Sequence, residues 1–279
     1  MNLPEAAKPR PRREWIMVLV QPLASRGVAW GARAGIAPTT VVTAHGLIGL
    51  AAAALLATQA GAAWLGAALL LQVKTVLDNI DGGLARATGR VTEAGRYLDT
   101  VVDLVVNLAL FAALARHGSA AWAAGAFLAL TLILSLDFNL ERRYRTLRGE
   151  DGTRAAELPP DAPRWVLTAP RAVYRALLEP QDRLLTWCDR RLFEQVTGTP
   201  DADAPARLRL AWSDLFSSAS IVNLGLSTQL ALLGALCLLG RPYLFVPAVY
   251  LQLVYVVAVQ AIRVVRLRRT LREGSGSAA

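Results

Sequence analysis

Long runs of Ala, Leu, Val and Ile alternate along the chain with short arginine-rich segments, and six of the runs approach the about 20 residues that an α-helix needs to cross a bilayer core. They are TVVTAHGLIGLAAAALLATQ (40–59), AAWLGAALLLQVKTVL (62–77), a third that begins in a polar stretch and continues as TVVDLVVNLALFAALA (100–115), AAWAAGAFLALTLILSLDF (120–138), SIVNLGLSTQLALLGALCLLG (220–240) and YLFVPAVYLQLVYVVAVQAI (243–262). Lipid offers the backbone no hydrogen-bond partner, so each run is predicted to be a helix. The pattern predicts an all-α polytopic membrane protein with six transmembrane helices forming one membrane domain. Its expected parts are a basic N-terminal tail and interfacial helix (1–39), transmembrane helices 1–4 (40–140), a cytoplasmic loop with amphipathic helices (141–215), transmembrane helices 5–6 (216–262) and a basic C-terminal tail (263–279).

The segments outside these runs have patterns of their own. EWIMVLVQPLASRGVAW (14–30) is interrupted by Pro22 and Arg26 and lacks a small-residue cleavage site after a compact apolar core, so it does not resemble a signal peptide. It suits an interfacial helix, with Trp15, Ile16 and Trp30 among the headgroups and Arg26 and Arg33 facing phosphates. Within the loop, LPPDAP (158–163) and TGTPDADAPA (197–206) break regular structure. Between them Val173, Leu177, Leu184, Cys188, Leu192 and Val196 recur at roughly helical spacing, which predicts one or two amphipathic helices along the membrane, the second starting at Pro180. A cytoplasmic brace is the expected role, with a lid over a substrate the alternative.

Charge orients these elements. With both termini inside, Lys and Arg number 6 in residues 1–39, 3 in 78–97, 13 in 141–215 and 5 after 262, which places 27 of 30 on the cytoplasmic side. The formal net charge of +9 is then explained by membrane orientation and attraction to anionic lipid, and no nucleic-acid partner is expected. Two cysteines, Cys188 and Cys237, cannot frame a disulfide scaffold. The 28 Arg against 2 Lys suggest a GC-rich bacterial genome and hence a bacterial plasma membrane.

Against this background LDNIDGGLARATGRVTEAGRYLDTVVD (77–103) is anomalous, because it sets Asp78, Asp81, Asp99 and Asp103 at the inner ends of two spans. Ionisable groups at membrane depth usually face a cavity or a partner. Asp78 and Asp81 are three residues apart and Asp99 and Asp103 four, so each pair shares a helix face, which Asn107 extends by a turn. A short, Gly-containing connection makes the two helices antiparallel neighbours and brings the four acids toward one point. Such a cluster is either partly protonated or holds cations, and an all-oxygen set favours Mg²⁺, Mn²⁺ or Ca²⁺. Lys74, one turn before Asp78, is placed to neutralise part of it. His45 and His117 lie elsewhere in the sequence and are expected to be polar or interfacial rather than ligands.

The residues between the acid pairs refine this picture. Gly82, Gly83 and Ala85 leave room beside Asp81, and Arg86 offers a fork for phosphate oxygens; glycines at these positions would otherwise serve helix packing. A two-metal clamp with an arginine suits transfer of a phosphoryl-linked group from a diphosphate. Arg142, Arg143 and Arg145 are placed either to bind an acceptor's phosphate or, more simply, to anchor the inner end of segment four.

Asp78-x-x-Asp81-Gly82-x-x-Ala85-Arg86, then eight residues, then Gly95-x-x-x-Asp99-x-x-x-Asp103, resembles the signature of the CDP-alcohol phosphotransferases at every fixed position and spacing. The resemblance implies an enzyme of phospholipid biosynthesis. In it Asp78, Asp81, Asp99 and Asp103 hold two divalent ions, Mg²⁺ or Mn²⁺, on the diphosphate of a CDP-alcohol. Gly82, Ala85, Arg86 and Gly95 bind the CDP-alcohol, and Asp103 is the general base that deprotonates an acceptor hydroxyl, whose attack expels CMP. It also implies a cytoplasmic site and a homodimer. Three alternatives compete. An intramembrane prenyltransferase would usually carry two separated acid clusters. A cation transporter would need acids in opposing spans, whereas segments five and six offer Asn223, Ser227, Gln229 and Gln260 but no acid. An inactive relative would usually lack one of the four motif acids. The signature concerns the CDP half alone and leaves donor alcohol, acceptor and metal open.

Overall fold

A computed structural model describes residues 14–58, 60–149 and 165–276; the basic tail 1–13, the LPPDAP break and the last three residues lie outside that description. The described residues form eleven α-helices: α1 (Met17–Arg33), α2 (Pro38–Ala57), α3 (Gly61–Ala87), α4 (Glu93–Ala115), α5 (Ala120–Thr146), α6 (Trp165–Leu177), α7 (Glu179–Thr197), α8 (Ala206–Trp212), α9 (Leu215–Val222), α10 (Leu226–Leu238) and α11 (Phe245–Gly276). One short 3-10 turn, Pro242–Leu244, precedes α11. Local chemistry sets several boundaries. Pro38 opens α2 with its φ already helical, while the side chains of Thr92, Ser119 and Asp214 accept backbone N–H bonds at the starts of α4, α5 and α9.

Among the described residues, five stretches are long and apolar enough to cross a bilayer: Pro38–Ala57, Glu93–Ala115, Ala120–Thr146, Ala206–Leu238 and Pro242–Glu273. Six were expected. The second expected span lies in α3, whose run is diluted by Gln72, Lys74 and Asp78 and is less apolar than the other five. That helix also continues through the acidic stretch to Ala87, so residues 88–92 alone join it to α4. Gly89, at φ 67°, takes the left-handed conformation that this reversal requires. The fifth span is not one rod either. It breaks at residues 223–225 between α9 and α10, and the N-terminal segment docks on the break: Asn223 Oδ1 accepts the Trp15 N–H at 3.0 Å, and Glu14 accepts from the Thr228 N–H at 3.0 Å and hydroxyl at 2.9 Å.

The helices that carry the acids pack closely. On α2, a Cβ at Gly46 would come within 2.6 Å of Val102 Cγ1, and one at Gly49 within 2.6 Å of Val106 Cγ1 and 3.3 Å of Lys74 Cδ. Small residues therefore let α2 approach α3 and α4 nearly backbone to side chain. Along α1, buried Met17, Val20, Ala24, Val28 and Gly31 recur every three or four residues, and Gly27 and Gly31 lie against Ile80 and Leu84 of α3. Trp15 and Trp30 are exposed, as expected, but Ile16 is buried with Met17 and Val20 against Val76 and Ala231 rather than turned outward. The main core runs through Leu56, Leu71, Leu110, Leu130, Ile133 and Leu233.

Where one or two helices were expected in the insertion, it forms two, α6 and α7, with Pro180 in the first turn of α7. Tyr174 of α6 packs on Tyr97 of α4 with ring centroids 5.2 Å apart, and its hydroxyl donates to Asp182 at 2.7 Å. Burial and that carboxylate push the Tyr174 hydroxyl well above its usual pKa. Asp189 of α7 accepts from Arg143 of α5, Trp212 of α8 and Arg263 of α11 at 3.2, 3.1 and 2.9 Å. Arg143 also pairs with Asp201 at 2.6 Å and bonds Ser213 at 3.0 Å. That arginine, for which the sequence leaves an inner-end anchor or a phosphate contact open, makes these contacts within the protein and joins α5 to α7 and the segment that follows it. Phe193, absent from the expected apolar stripe, is the buried anchor of α7, whereas Leu184 and Cys188 are exposed.

Candidate active site

All eight residues of the signature lie on α3 and α4. Asp78, Asp81, Gly82, Ala85 and Arg86 occupy the last three turns of α3, and Gly95, Asp99 and Asp103 the first three of α4. Helical spacing turns each acid pair to one face, and the tight 88–92 reversal sets those faces against each other. Thr92 accepts the Gly95 N–H at 3.1 Å, so the first turn of α4 is fixed by a cap immediately before the second acid pair. Arg86 folds back along α3, its Nη1 3.3 Å from where a Cβ at Gly82 would stand.

Two basic side chains complete the cluster. Lys74 is fully buried and places Nζ 2.7 Å from Asp103 Oδ1 and 3.4 Å from Asp78 Oδ1. His45, also fully buried, points Nε2 at three carboxylates: 2.9 Å from Asp81 Oδ2, 3.5 Å from Asp99 Oδ1 and 3.9 Å from Asp78 Oδ1. The position of His45 departs from the sequence expectation. Its signal was present in the chain as an ionisable residue in the middle of an apolar run, beside the glycines that let α2 approach. His117 behaves as expected, with Nε2 3.0 Å from the Leu56 carbonyl oxygen and its ring edge-on to Trp64.

Whether these groups suit a cation can be judged from their unsatisfied atoms. His45 Nε2, Asp81 Oδ2 and Asp99 Oδ1 are buried close together, yet none makes a well-aligned hydrogen bond. One ligand atom from each of His45, Asp78, Asp99 and Asp103 falls within a sphere where all lie within 4.8 Å of one another. Buried polar atoms left in this state are costly unless something else satisfies them, and a dense, oxygen-rich donor set fits a divalent cation. Asp81 is buried, while Asp78, Asp99 and Asp103 stay half-open to a ligand.

Comparison with known proteins agrees with this chemistry. The family model for CDP-alcohol phosphatidyltransferase matches residues 36–159, a segment that holds every residue of the cluster. The chain is 44% identical over 54 residues to the bifunctional IPC transferase and DIPP synthase of Aquifex aeolicus, covering 19% of this chain and 13% of that protein. It is 38% identical over 56 residues to the archaetidylinositol phosphate synthase of Pyrococcus horikoshii, covering 20% of this chain and 30% of that protein. The similarity thus spans less than a third of either relative, and no solved structure matches. Signature, cluster and family match coincide on one segment: residues 36–159 are similar to the CDP-alcohol phosphatidyltransferase domain.

Proposed function

We propose that the chain transfers a substituted phosphate group from a CDP-alcohol, such as CDP-diacylglycerol, to an acceptor alcohol and releases CMP, as a step of phospholipid biosynthesis. The observation that carries this reading is the convergence of Asp78, Asp99 and Asp103, from two helices, on one half-open point, with the fourth signature acid, Asp81, 2.9 Å from the His45 that joins them. Asp78, Asp81, Asp99 and Asp103 would hold two divalent ions, which when bound neutralise the diphosphate and polarise its phosphorus–oxygen bonds. Gly82 and Ala85 leave space for the nucleotide, Gly95 keeps the start of α4 slim beside it, and Arg86 supplies a guanidinium to phosphate oxygens.

Asp103 acts as general base. Its Oδ1 is taken by Lys74, which leaves Oδ2 to receive the proton of the acceptor hydroxyl. The acceptor oxygen bonds to the phosphorus that carries the donor alcohol, the bond from that phosphorus to the bridging oxygen breaks, and CMP departs with the bridging oxygen. Lys74 holds the Asp103 carboxylate in one orientation through the cycle. A soluble and a lipid substrate meet most readily at the headgroup layer, where the inner ends of α3 and α4 are expected.

The same reading makes α3 the sixth crossing helix and α1 an interfacial helix. Both termini and the site face the cytoplasm of a bacterial plasma membrane, and two copies associate. The arginine asymmetry and the exposed Trp15 and Trp30 support this placement. The test is acceptor-dependent release of CMP by the purified protein, given a panel of CDP-alcohols and acceptors with Mg²⁺ or Mn²⁺.

A further inference from the structure

The signature supplies carboxylates alone, but the cluster also contains an imidazole from a third helix. We propose that His45 is a metal ligand, its Nε2 joining Asp78, Asp99 and Asp103 to make one cation position a mixed nitrogen–oxygen site. This rests on the reading of the cluster as a divalent-metal site and adds a ligand that the eight-residue signature does not contain.

Three observations carry it. First, His45 is completely buried, neither ring nitrogen makes a well-aligned hydrogen bond, and one of them faces three carboxylates within 3.9 Å. A histidine that serves only packing satisfies a nitrogen on a nearby carbonyl, as His117 does on Leu56 at 3.0 Å. Second, α2 is built to deliver this ring. Gly46 and Gly49 allow contact with Val102 and Val106, so the helix approaches far enough for the imidazole to enter the space between α3 and α4. Third, the lysine does not satisfy every acid of the cluster. Lys74 sits against Asp103 Oδ1 and Asp78 Oδ1 and has no contact in common with Asp81 or Asp99, the two acids nearest His45. Asp81 Oδ2 and Asp99 Oδ1 are thus left facing the imidazole without a lysine contact, while Asp78 Oδ1 lies between His45 and Lys74.

A neutral imidazole is a poor ligand for Mg²⁺ or Ca²⁺ and a good one for first-row transition ions. The chain is therefore expected to bind Mn²⁺ more tightly than Mg²⁺, by a margin that depends on His45. Because the site keeps three carboxylates, removing the ring weakens Mn²⁺ binding, by about tenfold or more, without abolishing it.

The experiment is pulsed electron paramagnetic resonance on the tag-free, detergent-purified full chain loaded with Mn²⁺ and no substrate. Echo-envelope modulation from a directly bound ¹⁴N is expected in the wild type and in His117→Gln, and its loss in His45→Gln, with Mn²⁺ affinity in His45→Gln about tenfold lower by titration calorimetry. Mn²⁺ bound without ¹⁴N modulation in the wild type, modulation that survives in His45→Gln, or no Mn²⁺ bound at all would each overturn the inference. The wild-type spectrum alone decides if His45→Gln fails to fold. Nucleotide and acceptor are absent, so oxygen-only Mn²⁺ in a protein that still releases CMP refutes the ligand and leaves the function. Nitrogen-bound Mn²⁺ in a protein that releases none does the reverse.

Discussion

Lys74 Nζ and Asp103 Oδ1 meet at 2.7 Å across the α3–α4 interface, with the lysine wholly buried. An ammonium in that position is tolerable only because Asp103 and Asp78 share it. Replacing it by methionine keeps the volume but leaves two acids facing each other without their counter-charge. Lys74→Met is expected to lose about 3–5 kcal/mol of stability, measured as a lowered unfolding midpoint in detergent. Added Mn²⁺ should restore part of the loss; a metal-free change below about 1 kcal/mol would show that the pair carries little.

Asp103→Asn retains the shape of the side chain and removes its capacity to take a proton. CMP release is expected to fall by at least about two orders of magnitude, while CDP-alcohol binding, measured by calorimetry with metal present, stays within about tenfold. Near-normal turnover would remove Asp103 as the base.

The close approach of α2 makes its glycines sensitive. Gly49→Ala places a methyl against Val106 and the Lys74 stem, and is expected to cost about 1–3 kcal/mol. Gly61→Ala has nothing within 4 Å and should leave stability unchanged or slightly improved. Equal effects at the two positions would contradict the packing that delivers His45.

The brace can be separated from the chemistry. Asp189→Ala removes the carboxylate paired with the buried Arg263, which keeps Gln260 and the Trp212 carbonyl, and deprives Arg143 of one partner, and a stability loss of about 3 kcal/mol is expected. Metal affinity of the folded fraction should remain that of the wild type, since none of these groups touches the cluster. A metal affinity that falls with the brace would tie α7 to the site.

Much of this arrangement was legible in the chain because its physics is local. Apolar runs separated by arginines predict membrane helices, and acids spaced three and four apart on either side of a short Gly-containing link predict two facing polar stripes. What escaped depends on contacts distant in sequence. His45 lies 33 residues before Asp78, and only the packing of Gly46 and Gly49 shows that its ring enters the cluster. The break at residues 223–225 is held partly by Glu14 and Trp15, more than 200 residues away. Arg143 carried the same local signal as any inner-face arginine until Asp189 and Asp201 stood beside it. Donor and acceptor identity is not encoded in the signature, because on the proposed function its residues serve the diphosphate and nucleotide rather than the alcohols.

The most direct test is a metal-controlled assay of CMP formation. Purified wild type, given labelled CDP-alcohols and candidate acceptors, is expected to form CMP and a matching phosphodiester in equal amounts with at least one pair. It should stop when EDTA removes the divalent ion and resume when Mn²⁺ or Mg²⁺ is returned. A folded protein that forms no CMP with any pair, or forms it equally well in EDTA, would contradict the account.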